Sequence, residues 1–241
     1  MRAPRTVAPK RVPKKTASRA QRPRLASSLV CLAGPVDDPH ILMGRRSAAH
    51  AFMPGVFVFP GGRVERADSY APFTGELAPR TRDVLTHRLS PRRARACVLA
   101  ALRETFEETG LRIARPATRK LKAFRDPTWG AFVDPGWLPD LSGVEVLGRA
   151  TTPPRRAKRF DTWFFLRHLG DAVPRESVRD SDELEAVSWY PLNAVADLKT
   201  HVTTDMMLAT LADVLRDGHA PHVPFRRMIR GTFVSTPYPP S

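Results

Sequence analysis

Three carboxylates, Glu104, Glu107 and Glu108, lie at i, i+3 and i+4 in the stretch Arg103-Glu-Thr-Phe-Glu-Glu-Thr-Gly-Leu111. At about 100° per residue they share one helix face. Like charges this close repel, and a bound cation would remove that cost. Oxygen-only ligands suit a hard ion such as Mg²⁺ or Mn²⁺. Arg103 stands beside them and can orient one carboxylate through a bidentate hydrogen bond. A Glu-Glu pair alone is more often a solvated charged face, so the case depends on what surrounds it.

The element that must carry these groups is a helix over about 91–109. Ser90 is a capping residue, Pro91 suits the first helical position and Gly110 suits a left-handed stop. Val98, Leu99, Leu102 and Phe106 form an apolar stripe opposite the glutamates, which predicts one packed face and one face free for metal. Upstream, Val56-Phe57-Val58-Phe59 runs into Pro60-Gly61-Gly62, a strand followed by a tight turn. The paired glycines let backbone approach a ligand closely.

Together these segments resemble the box of the Nudix hydrolases, Gly-x5-Glu-x7-Arg-Glu-U-x-Glu-Glu-x-Gly-U with U apolar. Gly62, Arg103, Glu104, Glu107, Glu108, Gly110 and Leu111 match it. Thr105 occupies an apolar position and Asp68 replaces the first Glu. The 34 residues between Asp68 and Arg103 exceed the box's 7, an insertion at about 69–90 with room for a short helix. The resemblance implies an α/β (α+β) fold, the αβα sandwich with a mixed sheet between helices. It also implies a metal set of Glu104, Glu107, Glu108 and the Gly61 carbonyl, and catalytic roles for Arg103, Glu104, Glu107 and Glu108.

Leu42-Met43-Gly44-Arg45-Arg46-Ser47, Gly55 and Phe59-Pro60-Gly61-Gly62 are similar to the motif of the coenzyme A pyrophosphatase branch. Arg46, Ser47, Gly55 and the last four residues coincide in register. Gly44 stands for Thr and Ala51 for the second Arg, with His50 next to it. A split box, Ala67-Asp68 and Arg159-Phe160-Asp161-Thr162 add similarity to the peroxisomal coenzyme A diphosphatases of mammals. The implied substrate is coenzyme A or acyl-coenzyme A, cut to 3′,5′-ADP and phosphopantetheine, with Arg45, Arg46, Ser47, Gly61 and Gly62 at the substrate. ADP-ribose, NADH or another nucleotide is the alternative, and a polyanion-binding Nudix module without turnover is a third reading. A general base is sought in Glu104 or in Asp182, Glu183 or Glu185.

Composition sets outer bounds. A chain of 241 residues with 42% hydrophobic content can bury one core, here placed at 25–220. Two cysteines, Cys31 and Cys97, make no disulfide framework and suggest a reducing, cytoplasmic setting. No apolar run reaches the ~20 residues of a membrane span. The net charge is +15, and nine cations with four prolines and no acid fall in residues 1–24. That segment is expected to be a disordered tail, with electrostatic nucleic-acid binding or targeting as competing readings. Residues 221–241 are read as a Pro-rich tail. A homodimer is compatible with the chain. Thr204 is read as the cap of a final amphipathic helix with Met207, Leu208, Leu211 and Leu215.

Overall fold

The computed structural model describes residues 21–48, 53–118, 124, 126–133, 136–156, 158–218 and 222–239. Strands β1 (Arg24–Ala33), β2 (His40–Arg46), β3 (Phe57–Val58) and β4 (Gly61–Arg63) come first. Helices α1 (Pro79–Thr86) and α2 (Pro91–Thr109) follow. Then come β5 (Ala114–Pro116), α3 (Pro127–Val133), β6 (Trp137–Pro139), β7 (Val144–Thr151), β8 (Phe160–His168) and β9 (Leu184–Pro191). Helix α4 (Val202–Asp217) and strands β10 (Val223–Ile229) and β11 (Thr232–Tyr238) complete the order.

β1 is central because both of its faces are apolar. Leu29 and Cys31 pack into a core with α1, α2 and α3, while Val30 and Leu32 pack into a second core with Met207 and Leu211 of α4. A strand buried on both faces reads as a continuous apolar run, as 29–33 does. The main sheet runs β11-β10-β7-β8-β1-β2-β3, with β4 on β1 and β9 on β2. It is mixed, since β1 pairs β8 in parallel and β2 antiparallel. α2 lies on one face and α4 on the other, the expected αβα sandwich.

Several local expectations change. Residues 221–241 do not form a tail across 223–238: β10 pairs β11 antiparallel and β7 in parallel. Their prolines and arginines obscured an alternation that buries Val223 and Phe225 and brings Tyr238 over them. The basic segment has an ordered end, because Arg24 opens β1 and its N–H meets the Arg159 carbonyl at 2.8 Å. Residues 1–20, with most of the proposed tail, lie outside the described residues. The insertion is core-forming: Leu77, Val84, Leu85 and Leu89 are buried, and Thr81 Oγ1 donates to the Val144 carbonyl at 3.1 Å. α4 starts earlier than expected, capped by His201 Nδ1 accepting from Thr203 N–H at 3.2 Å, and Thr204 is buried inside the helix. No helix among the described residues is long and apolar enough to cross a membrane.

Candidate active site

α2 begins and ends where its residues dictate. Ser90 Oγ accepts from Arg93 N–H at 3.4 Å, Pro91 is the first helical residue and Gly110 takes φ 78°. Between these ends the helix is buried on nearly every side. Cys97, Ala101 and Thr105 are as buried as Val98 and Leu102. The expectation of a free glutamate face therefore fails. Small residues on that side let α2 lie close to β1 and β4, and the glutamates enter a partly closed cleft. The Cys97 thiol is pushed up to about 12 by burial, so it is a neutral packing group. Thr105 fits its apolar surroundings by donating to the Ala101 carbonyl at 2.8 Å.

Gly61 and Gly62 form the cleft's other wall. Gly61 N–H donates to Glu108 Oε2 at 2.8 Å. A Cβ on Gly61 would meet Ser27 and Ser28 of β1, and one on Gly62 would collide with the Glu104 carboxylate. Gly61 is needed where β4 runs close against β1, and Gly62 where the Glu104 carboxylate from α2 lies against the turn. Glu108 is 6% exposed and held well above the usual carboxylate range, first by burial, with the Glu104 and Glu183 charges adding. Burial likewise raises Glu104 to about 7, against the nearby Arg103 charge.

Arg103 organises the cleft. Its Nε and Nη2 meet Asp68 Oδ1 and Oδ2 at 2.8 and 3.2 Å, and Nη2 also reaches the Arg63 carbonyl at 3.0 Å. Its Nη1 lies 2.7 Å from Glu107 Oε2 and 3.0 Å from Glu104 Oε1. Burial alone would lower its pKa; the Asp68 hydrogen bond and the surrounding carboxylates outweigh that and raise it. Asp68 is fully buried and also accepts from Glu65 N–H at 2.7 Å and Trp129 Nε1 at 3.0 Å. It is saturated as an anchor for Arg103. Trp129 had no signal in the sequence, since nothing local ties it to residue 68.

Not every expected residue converges. Arg45 turns to an exposed pair with Glu185 at 3.1 Å. Arg46 lies on the carboxylate side: burial lowers its pKa, and the charges of Glu108 and Glu183 oppose this. Ser47 is buried, its N–H on the Glu183 carbonyl at 3.0 Å. That bond and the β2–β9 pairing of Arg46 with Leu184 bring Glu183, rather than Glu185, to the cleft. His50 and Ala51 lie outside the described residues.

The three glutamates do not act as one cluster here, because Glu107 is drawn to Arg103 while Glu108 is held by Gly61. Among the described residues no three His, Cys, Asp or Glu groups enclose a common metal position. The donor chemistry nevertheless fits a hard divalent cation. Glu104, Glu108 and Glu183 are mutually repelling oxygen donors, and two of them are desolvated enough to resist ionisation without added positive charge.

The αβα sandwich that holds this glycine-to-glutamate cleft has the fold of the Nudix hydrolases. A Nudix hydrolase from Alicyclobacillus acidocaldarius superposes with a TM-score of 0.61 at 24% identity, covering 81% of this chain and 96% of that one. The sequence is similar to the acyl-coenzyme A diphosphatase NUDT19 of Gallus gallus, 30% identical over 69% of this chain, and to that of Xenopus laevis, 26% identical over 68%. The chain spans 58% and 56% of those two relatives' lengths. No protein-family model matches it.

Proposed function

We propose that the chain is a divalent-metal-dependent hydrolase of a nucleoside diphosphate derivative, with coenzyme A or an acyl-coenzyme A as substrate. The observation that carries this reading is the convergence of Glu104 and Glu108 on Gly61-Gly62 with Glu183 facing them. Glu104, Glu108 and Glu183 would hold Mg²⁺ or Mn²⁺, and Glu107 could join if it left Arg103. Such an ion would neutralise diphosphate charge and lower the pKa of an attacking water.

The chain's own residues then have separable tasks. Water adds across the phosphoanhydride, so a proton must be taken from it and the P–O bond to the leaving phosphate must break. Glu104 or Glu183, whichever is not ligating the ion, would take that proton. Arg103 fixes Glu104 and Glu107 from Asp68, a positioning role. Gly61 N–H aims Glu108, and the absent side chain at 62 leaves room for the Glu104 carboxylate. Arg46 adds positive charge on the β2 side.

The acyl-coenzyme A diphosphatases among the sequence relatives support the substrate, as do Arg46, Ser47, Gly55 and Phe59 to Gly62. Gly44 and Ala51 instead of Thr and Arg favour ADP-ribose or a dinucleotide as the second reading. Product analysis separates the two, since coenzyme A would yield 3′,5′-ADP and ADP-ribose would yield AMP.

A further inference from the structure

A cavity of about 370 Å³ opens beyond the C-terminal end of α2. That size falls at the small end of the range for small-molecule pockets. Its wall includes Leu111, Arg112, Arg115, Asp140 and Arg167, and none of Glu104, Glu107, Glu108, Arg46 or Gly61. It is a different place from the carboxylate cleft, although its wall starts three residues after Glu108.

The wall carries three arginines and one carboxylate. Asp140 Oδ2 takes Arg115 Nε at 2.7 Å and lies 3.5 Å from Arg167 Nη2, while its Oδ1 accepts Ser142 N–H at 2.9 Å. Asp140 is thus engaged on both oxygens, and two positive charges are left unbalanced. Arg112 is steadied over the Phe106 ring at 4.9 Å and donates Nη2 to the Ala131 carbonyl at 3.1 Å. Arg167 donates Nη1 to the Ser142 carbonyl. Both guanidinium groups are thus fixed at the wall, with Arg112 Nε and Arg167 Nε enclosed by protein.

Two guanidinium charges left unbalanced at the wall of one cavity repel each other, and an oxyanion is the group that would relieve this. The guanidinium fork matches phosphate geometry. The negative end of the α2 dipole opposes an anion nearby. Its last carbonyls are partly taken up, however, since Thr109 O accepts Arg179 N–H at 2.8 Å. We propose that this cavity binds the phosphate of a small phosphomonoester, at a site separate from the carboxylate cleft.

The test is calorimetric titration of the full chain in EDTA with inorganic phosphate and, separately, with AMP. Both are expected to bind wild type, and to bind Glu104→Gln/Glu108→Gln equally well. Arg112→Gln and Arg167→Gln should each weaken binding by roughly tenfold or more. Arg112→Gln gives up one exposed hydrogen bond to Ala131 and the contact with the Phe106 ring, so it is expected to fold even if Arg167→Gln does not. Unchanged binding in Arg112→Gln, or no binding of either probe to wild type at ~10 mM, overturns the proposal. Phosphate binding with AMP excluded overturns the phosphomonoester assignment. Failure of the hydrolase reading would leave this result untouched, because the cleft variant is its control.

Discussion

Arg103 reaches back 35 positions to Asp68 and holds both its carboxylate oxygens, at 2.8 and 3.2 Å, in a setting where Asp68 is fully buried. This pair bridges the two halves of the split box. It lets the segment between them pack into the main core without disturbing the cleft.

Asp68→Ala should therefore cost about 3–5 kcal/mol, the usual result of stranding one partner of a buried ion pair. Urea unfolding measures it. In a double-mutant cycle with Arg103→Met the two losses should be far from additive. A loss below about 1 kcal/mol, or additive losses, would show that the pair does not brace the fold.

Glu104 gives a pH dependence whose sign follows from its raised pKa. The folded state holds the proton up to about 7, whereas the unfolded chain releases it near the ordinary 4.5. The contribution is thus fully present below about 4.5 and is lost as pH rises through 7, amounting to roughly 3 kcal/mol. Glu108 acts in the same direction. Thermal unfolding in EDTA should show stability falling across this window, and Glu104→Gln should flatten the fall and be more stable than wild type at pH 8. Added Mg²⁺ at pH 8 should stabilise wild type and leave Glu104→Gln/Glu108→Gln unchanged. A flat wild-type profile would contradict the desolvation argument.

Gly62→Ala tests the close approach of sheet and helix. Its Cβ would fall on the Glu104 carboxylate and push it aside. A misplacement of about 1 Å typically costs on the order of 10²-fold in rate. Steady-state kinetics should show that loss mainly in kcat, with the melting temperature little changed. Wild-type kcat in Gly62→Ala would mean that Glu104 does not act from this position.

Much of the site was legible because its signals are local. Ser90, Pro91 and Gly110 define α2, and the run 29–33 marks a strand buried on both faces. The face of α2 was misjudged because Ala101 and Thr105 are small or polar, and periodicity cannot show that smallness permits close packing rather than exposure. The partner of Asp68 was hidden for a different reason: Trp129 Nε1 arrives from α3, 61 residues away. Among Asp182, Glu183 and Glu185 the choice needed the β2–β9 register, which a tertiary pairing sets. β10 and β11 were missed because Pro224 and Pro237 sit in strands near the sheet edge, where a missing N–H is tolerated.

The most direct test is mass-spectrometric product analysis of the full chain with coenzyme A, ADP-ribose and NADH, in Mg²⁺ and in EDTA, beside Glu108→Gln. The account predicts Mg²⁺-dependent release of 3′,5′-ADP and phosphopantetheine from coenzyme A, ahead of the other cleavages. It also predicts a fall of about 10²-fold or more in Glu108→Gln. Cleavage that persists in EDTA or in Glu108→Gln would contradict the metal-carboxylate site, and AMP from ADP-ribose or NADH with coenzyme A intact would contradict the substrate.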